Sequence, residues 1–105
     1  DFAQVEQVLI NLLKNSIEAI NEKANGLIQI KAFNSENSCI IHVEDNGTGI
    51  SADNIEDIFV PFYTTKNYGS GIGLSLSRQI MHNHNGTITV TSIQDIGTIM
   101  TLKFQ

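Results

Sequence analysis

Cysteine, proline and basic residues are all scarce in this chain, and each scarcity removes a class of protein. The single cysteine, Cys39, has no partner within the chain for a disulfide. It sits in the alternating run 38–43, where a small, buried, apolar role and a reducing compartment are expected. Lys and Arg number six against eleven Asp and Glu, a formal charge of −5. No basic stripe exists to follow a phosphate backbone or to hold an anionic lipid surface, so nucleic acid and direct membrane contact are not expected. No apolar run approaches the roughly 20 residues that cross a bilayer. The opening Asp1-Phe2-Ala3-Gln4 has neither the basic start nor the apolar core of a secretory signal. It reads as a helix already under way, with further sequence expected before it, and the setting expected is cytoplasmic.

What remains is a globular composition. Apolar residues make up 41% and charged residues 16% of 105 residues, enough for one domain around one core. From Phe2 to Ile20 the apolar positions Phe2, Val5, Leu9, Leu12, Leu13, Ile17 and Ile20 recur at threes and fours, the helical period. Asn25-Gly26 is expected to end that helix. Two strand-like runs, 27–33 and 39–44, flank the polar cluster 34–37 and predict a hairpin. The stretch 45–68 holds the one proline, Pro61, and is expected to be mostly loop, with a short helix near 52–58. A second long helix is predicted over 72–84, closing at Asn85-Gly86. Residues 87–93 and 98–104, rich in β-branched side chains, predict a final hairpin around 94–97. Helices separated by hairpins point to an α+β fold: a two-layer α/β sandwich, with helices on one face of a mixed, mostly antiparallel sheet.

Three constellations carry chemistry. On the first helix Gln7, Asn11, Asn15 and Glu18 form one uncharged-to-acidic polar stripe. An asparagine there offers a neutral oxygen suited to Mg²⁺ already largely satisfied by phosphate and water, although an ordinary solvated face would look the same. In Glu44-Asp45-Asn46-Gly47-Thr48-Gly49-Ile50 a carboxylate ends a strand, and two glycines allow the backbone to approach a ligand closely. Asp45 can accept from the exocyclic amine of adenine and would repel the carbonyl that guanine presents, while Ile50 can pack on the ring; a plain Asp-Asn-Gly turn is the alternative. In Gly69-Ser70-Gly71-Ile72-Gly73-Leu74-Ser75 a glycine-rich stretch opens a helix, whose free N–H groups favour a polyphosphate. No strand precedes it and no Lys-Ser or Lys-Thr follows, so neither a dinucleotide fold nor a P-loop is implied. Between them, the aromatic segment 59–66 with Lys66 reads as a lid over a nucleotide or as a core anchor.

In this order and at these separations, the four segments resemble the N, G1, F and G2 boxes of the histidine kinase catalytic domain, a branch of the GHKL ATPase and kinase superfamily. The resemblance runs from Gln7 to the closing hairpin at 97–102. It implies ATP and Mg²⁺ as cofactors, with Asn15 as the magnesium ligand and Asn11 supporting the phosphates. It also implies Asp45 on the adenine amine with Gly47, Gly49 and Ile50 shaping the pocket, and Glu18 and Thr98 among the nucleotide contacts. Lys66 is implied to approach the phosphates, and Gly69, Ser70, Gly71, Ile72, Gly73 and Leu74 to form the hinge and phosphate-facing helix start. The reaction implied is transfer to a histidine on a separate helical dimerisation domain, then to a response-regulator aspartate. His42, His82 and His84 are not expected to be that acceptor.

Related gyrase, MutL and heat-shock chaperone ATPases carry a glutamate where this chain has Asn11. An amide cannot deprotonate water, so transfer to an external nucleophile is favoured over hydrolysis. An anti-sigma-type serine kinase, or a nucleotide-binding interaction module without turnover, remains as an alternative.

Overall fold

The computed structural model describes residues 2–21, 23–60 and 73–105. The elements run α1 (Phe2–Ile20), β1 (Ile28–Ser35), β2 (Ser38–Asp45), α2 (Gly73–Asn83), β3 (Gly86–Ile93) and β4 (Gly97–Phe104). The four strands form one sheet in the order β1-β2-β4-β3. Every pairing among them is antiparallel, so the parallel component allowed for in a mixed sheet is absent from the described residues.

Register explains how the layers meet. Alternate residues share a face of a strand, and the pairings align Ile41 with Leu102 and Ile88, then Val43 with Met100 and Val90. These two apolar rows carry the core, joined by Val8 and Leu12 of α1 and Ile80 and Met81 of α2. α1 lies against β2, α2 against β3, and the helices pack on each other, giving helices on one face as the hairpin-and-helix order implied. The third row on that face is polar: Asp45, Thr98 and Ser92. Asp45 and Thr98 are both buried, so the sheet ends its apolar face in a set of hydrogen-bonding groups.

Three local expectations are corrected. α1 stops at Ile20 rather than running to Asn25-Gly26, and N–H donations from Lys23 to Ile20 and from Gly26 to Lys23 carry the chain through turns. The short helix near 52–58 is instead a succession of tight turns, in which Asn54, Asp57 and Val60 donate to the carbonyls of Ser51, Asn54 and Asp57. Ser51, Asp53, Asn54 and Asp57 supply side chains that favour turns over helix interiors. Cys39 is exposed, not buried: it lies beside the two-residue β1–β2 turn, opposite Asn34, at the end of the sheet away from the polar row. The chain turns there through Glu36 in the left-handed region, as it does at Asn85 after α2 and at Asp95 between β3 and β4. No helix among the described residues is long and apolar enough to cross a membrane.

Candidate functional site

The helical polar stripe meets α2 at Asn11. Its Nδ2 donates to Gly73 O at 3.3 Å and to Ser77 Oγ at 3.2 Å, while its Oδ1 accepts from Gln7 Nε2 at 3.0 Å. Ser77, fully buried, donates in turn to Gly73 O at 2.8 Å. Asn11 is therefore engaged in tying the first turn of α2 to α1. Ser77 was not singled out from the sequence. Its position in the stripe Leu74, Ser77, Met81, facing the core, is the signal that a hydroxyl there needs a buried partner. Ser77→Ala should cost about 1–3 kcal/mol, because Asn11 loses an acceptor and Gly73 O a donor away from water; a lower urea midpoint at unchanged slope is the expected readout. Asn15 and Glu18 follow Asn11 on the same stripe, both half-buried, and Oε2 of Glu18 is buried.

Asp45 ends β2 and turns its carboxylate back on the loop that follows. Gly47 N–H donates to Asp45 Oδ1 at 2.9 Å. That bond fixes the carboxylate's orientation and leaves its other oxygen for a donor from outside the loop. The loop is stitched to its surroundings on both sides. Thr48 N–H donates to Ala19 O, and Asp95 N–H donates to Thr48 O. Asn46 accepts from Leu27 N–H and donates to Asn25 O, and Lys23 Nζ donates to the carbonyl of Asn46.

Both loop glycines are required by close approach. A Cβ on Gly47 would lie 2.5 Å from Ala19 O, and one on Gly49, whose φ is +69°, 2.2 Å from Ile93 O. Ala19 lies one helical turn beyond Asn15, so this contact brings the Asp45 loop to the asparagine end of α1. Ile50 N–H donates to Ser92 Oγ at 2.8 Å, and Ser92 also contacts Gly97 O and Thr98 Oγ1. Thr98 thus sits beside Asp45 in the sheet, while Ser92, unanticipated from sequence, holds the far side of the loop.

Gly73 opens α2 next to Asn11, and among the described residues a Cβ there would meet nothing nearer than Asn11 Cγ at 3.9 Å. No contact with a described residue demands glycine at this position, unlike at Gly47 and Gly49. Leu74 packs against the core. Lys66, Gly69, Ser70, Gly71 and Ile72, with the rest of the 61–66 lid segment, lie outside the described residues. Phe59, at the start of that segment, packs on the core with the Arg78 guanidinium 5.2 Å above its ring.

Among the described residues no group of three or more His, Cys, Asp or Glu side chains could hold a metal ion. The half-buried Asn15 offers a neutral side-chain oxygen, a donor that would suit a divalent cation whose other ligands come from phosphate and water. Cavities bounded by described residues flank the loop and α2. One of about 180 Å³ borders Ala19, Lys23, Gly47, Thr48 and Asp95 on the outer side of the Asp45 loop. The other, about 330 Å³, lies between Phe59 and the outer side of α2.

The sequence model of the family described as "Histidine kinase-, DNA gyrase B-, and HSP90-like ATPase" matches residues 1–105. The chain is 45% identical over 89 residues to the C4-dicarboxylate transport sensor protein DctB of Rhizobium meliloti (strain 1021), covering 85% of this chain and 14% of that protein. It is 41% identical over 99 residues to the sensor histidine kinase ZraS of Escherichia coli (strain K12), covering 94% of this chain and 21% of that one. It thus spans about a fifth or less of the length of these relatives. Its fold superimposes on the nucleotide-free catalytic domain of the histidine kinase ThkA with a TM-score of 0.85 at 35% identity, covering 99% of this chain and 67% of that domain.

Proposed function

Because this chain belongs to the histidine kinase-, DNA gyrase B- and HSP90-like ATPase family, with histidine kinases among its relatives, we propose that it is the ATP-binding catalytic domain of a cytoplasmic sensor kinase module. In this reading it holds ATP with Mg²⁺ and presents the γ-phosphoryl group to a histidine on a separate helical dimerisation domain. A response regulator then receives the group. The observation that carries the reading is the buried Asp45 carboxylate, oriented by Gly47 N–H at the polar end of an otherwise apolar sheet face.

Each described residue has a defined task. Asp45 accepts from the adenine amine. Asn15 offers its side-chain oxygen on the face of α1 that the Asp45 loop adjoins, and the start of α2 presents backbone N–H groups to the phosphates. Asn11 holds that start in place through Gly73 and Ser77. Lys66 and the glycines 69 and 71 are assigned to the phosphates on the family resemblance. Magnesium, when bound, neutralises charge on the phosphate oxygens. In the transfer, the bond from the γ-phosphorus to the β–γ bridging oxygen breaks as a bond to the imidazole nitrogen forms, and ADP leaves with the electron pair. On the family resemblance, Asn11 stands where related ATPases carry the glutamate that acts on water, and its amide cannot take a proton at neutral pH. The nucleophile is therefore external.

Calorimetric titration with an ATP analogue, with and without Mg²⁺, tests the reading. The wild-type chain should bind more tightly with the metal present. Asn15→Ala should abolish that difference while leaving metal-free binding close to wild type. A magnesium dependence that survives the substitution would remove Asn15 from the metal site.

A further inference from the structure

We propose that Ser92 determines which purine the site accepts, by capturing the hydroxyl proton of Thr98 so that Thr98 Oγ1 faces the base as an acceptor only. The proposal rests on the reading that Asp45 meets the base. Ser92 does not touch the base on this account; it is a positioning residue acting through its neighbour.

The register aligns Asp45, Thr98 and Ser92 across β2, β4 and β3. Among the described residues Ser92 Oγ has three polar neighbours: Ile50 N–H at 2.8 Å, Gly97 O at 2.9 Å and Thr98 Oγ1 at 2.8 Å. A serine hydroxyl has one proton to give and two lone pairs to receive with. The Ile50 amide can only donate, so it takes one lone pair. The Gly97 carbonyl can only accept, so it takes the proton. The contact with Thr98 is then satisfied in one direction alone, with Thr98 donating to the second lone pair. The reverse orientation would take the Ser92 proton away from the Gly97 carbonyl and give up their 2.9 Å hydrogen bond.

With its proton committed, Thr98 Oγ1 offers lone pairs only. Its neighbour in the sheet, Asp45, is an acceptor as a carboxylate, with one oxygen already occupied by Gly47 N–H. Two adjacent, buried acceptors form a surface that rewards an amine and rejects a carbonyl. A purine with an amino group at carbon 6 satisfies it; one with an oxygen there sets acceptor against acceptor. Ser92 also anchors the backbone of Ile50 and the carbonyl of Gly97, and a Cβ on Gly97 would stand 2.2 Å from Asp45 O. The hydroxyl that sets the polarity is thus fixed to the same loop and hairpin that hold the carboxylate.

The test is titration of ATP and inosine triphosphate, which differ at the reading edge of the base, into wild type, Ser92→Ala and Thr98→Val. In Ser92→Ala the Thr98 hydroxyl is released and can donate to the 6-oxygen, so the ATP-to-inosine-triphosphate affinity ratio should narrow about tenfold, mainly through tighter inosine triphosphate binding. In Thr98→Val the acceptor is gone, and the ratio should narrow through weaker ATP binding. A merely structural role would shift both nucleotides by one common factor, so an unchanged ratio in Ser92→Ala overturns the proposal. If Ser92→Ala fails to fold, an unchanged ratio in Thr98→Val overturns it instead. Wild-type protein that binds neither nucleotide would refute the nucleotide reading itself, before any variant is compared, and the specificity proposal with it.

Discussion

Asp45→Asn should lower ATP affinity by about a hundredfold while leaving the thermal midpoint close to wild type. The substitution keeps the shape and the burial of the side chain, and its effect is confined to one atom. If the amide oxygen stays where Oδ1 now accepts from Gly47 N–H at 2.9 Å, the amide nitrogen faces the pocket and meets the adenine amine donor to donor. If the amide turns over, its nitrogen opposes Gly47 N–H, and the loop is strained where Gly47 abuts Ala19. One orientation removes base recognition and the other loosens the loop that supplies it, so neither recovers wild-type binding. Calorimetry with ATP, alongside a melting curve, separates this from general destabilisation. Wild-type affinity in Asp45→Asn would take the base-reading role away from the carboxylate.

The residues that carry the fold were readable because their signals are local. The threes and fours of α1, the β-branched runs of β3 and β4, and the Asn85-Gly86 stop all follow from propensities that neighbours in sequence enforce. The N and G1 segments were readable for a related reason: paired asparagines on one helix face and two glycines after a strand-ending aspartate are compact patterns. What was not readable depends on distant pairings. Ser77 and Ser92 look like unremarkable polar positions until α2 is laid on α1 and β3 on β4, when each becomes a hydroxyl with several partners. The tie that Asn11 makes between the helices was hidden for the same reason, since its partners Gly73 and Ser77 lie 62 and 66 residues away in sequence. Cys39 was misread because alternation identifies the face of a strand and not how far the covering helices reach along it.

The polar end of the sheet also explains how a small domain can hold the 46–50 loop in place without regular structure. The row Asp45, Thr98, Ser92 continues the apolar rows beneath it, so the same register that packs Val43 against Met100 places the polar groups. Loop position is then set by hydrogen bonds from Gly47, Thr48 and Ile50 to three different elements: the end of β2, α1 and β3. If the loop binds a nucleotide as proposed, this anchoring reduces the ordering that binding would otherwise require.

That dependence on close backbone approach leads to the largest stability effect expected here. Gly49→Ala should destabilise the fold by about 3–4 kcal/mol, the sum of a left-handed backbone imposed on a side chain and a collision that the hairpin must relieve. The added Cβ would stand 2.2 Å from Ile93 O and 2.8 Å from Ile93 C, both backbone atoms with no rotamer to yield. Relief requires the β3–β4 turn to move away from the loop, which breaks the bond from Asp95 N–H to Thr48 O and displaces Ile50 from Ser92. Gly73→Ala provides the reference, because a Cβ at that helix start meets no described residue nearer than 3.9 Å and alanine favours the helix. Urea denaturation of the two variants should give a sharply lowered midpoint for the first and an undiminished one for the second. Equal midpoints would mean that the loop and hairpin do not lie as closely together in solution as the structure places them, and the support that Ser92 gives to the base-reading edge would be lost with that contact.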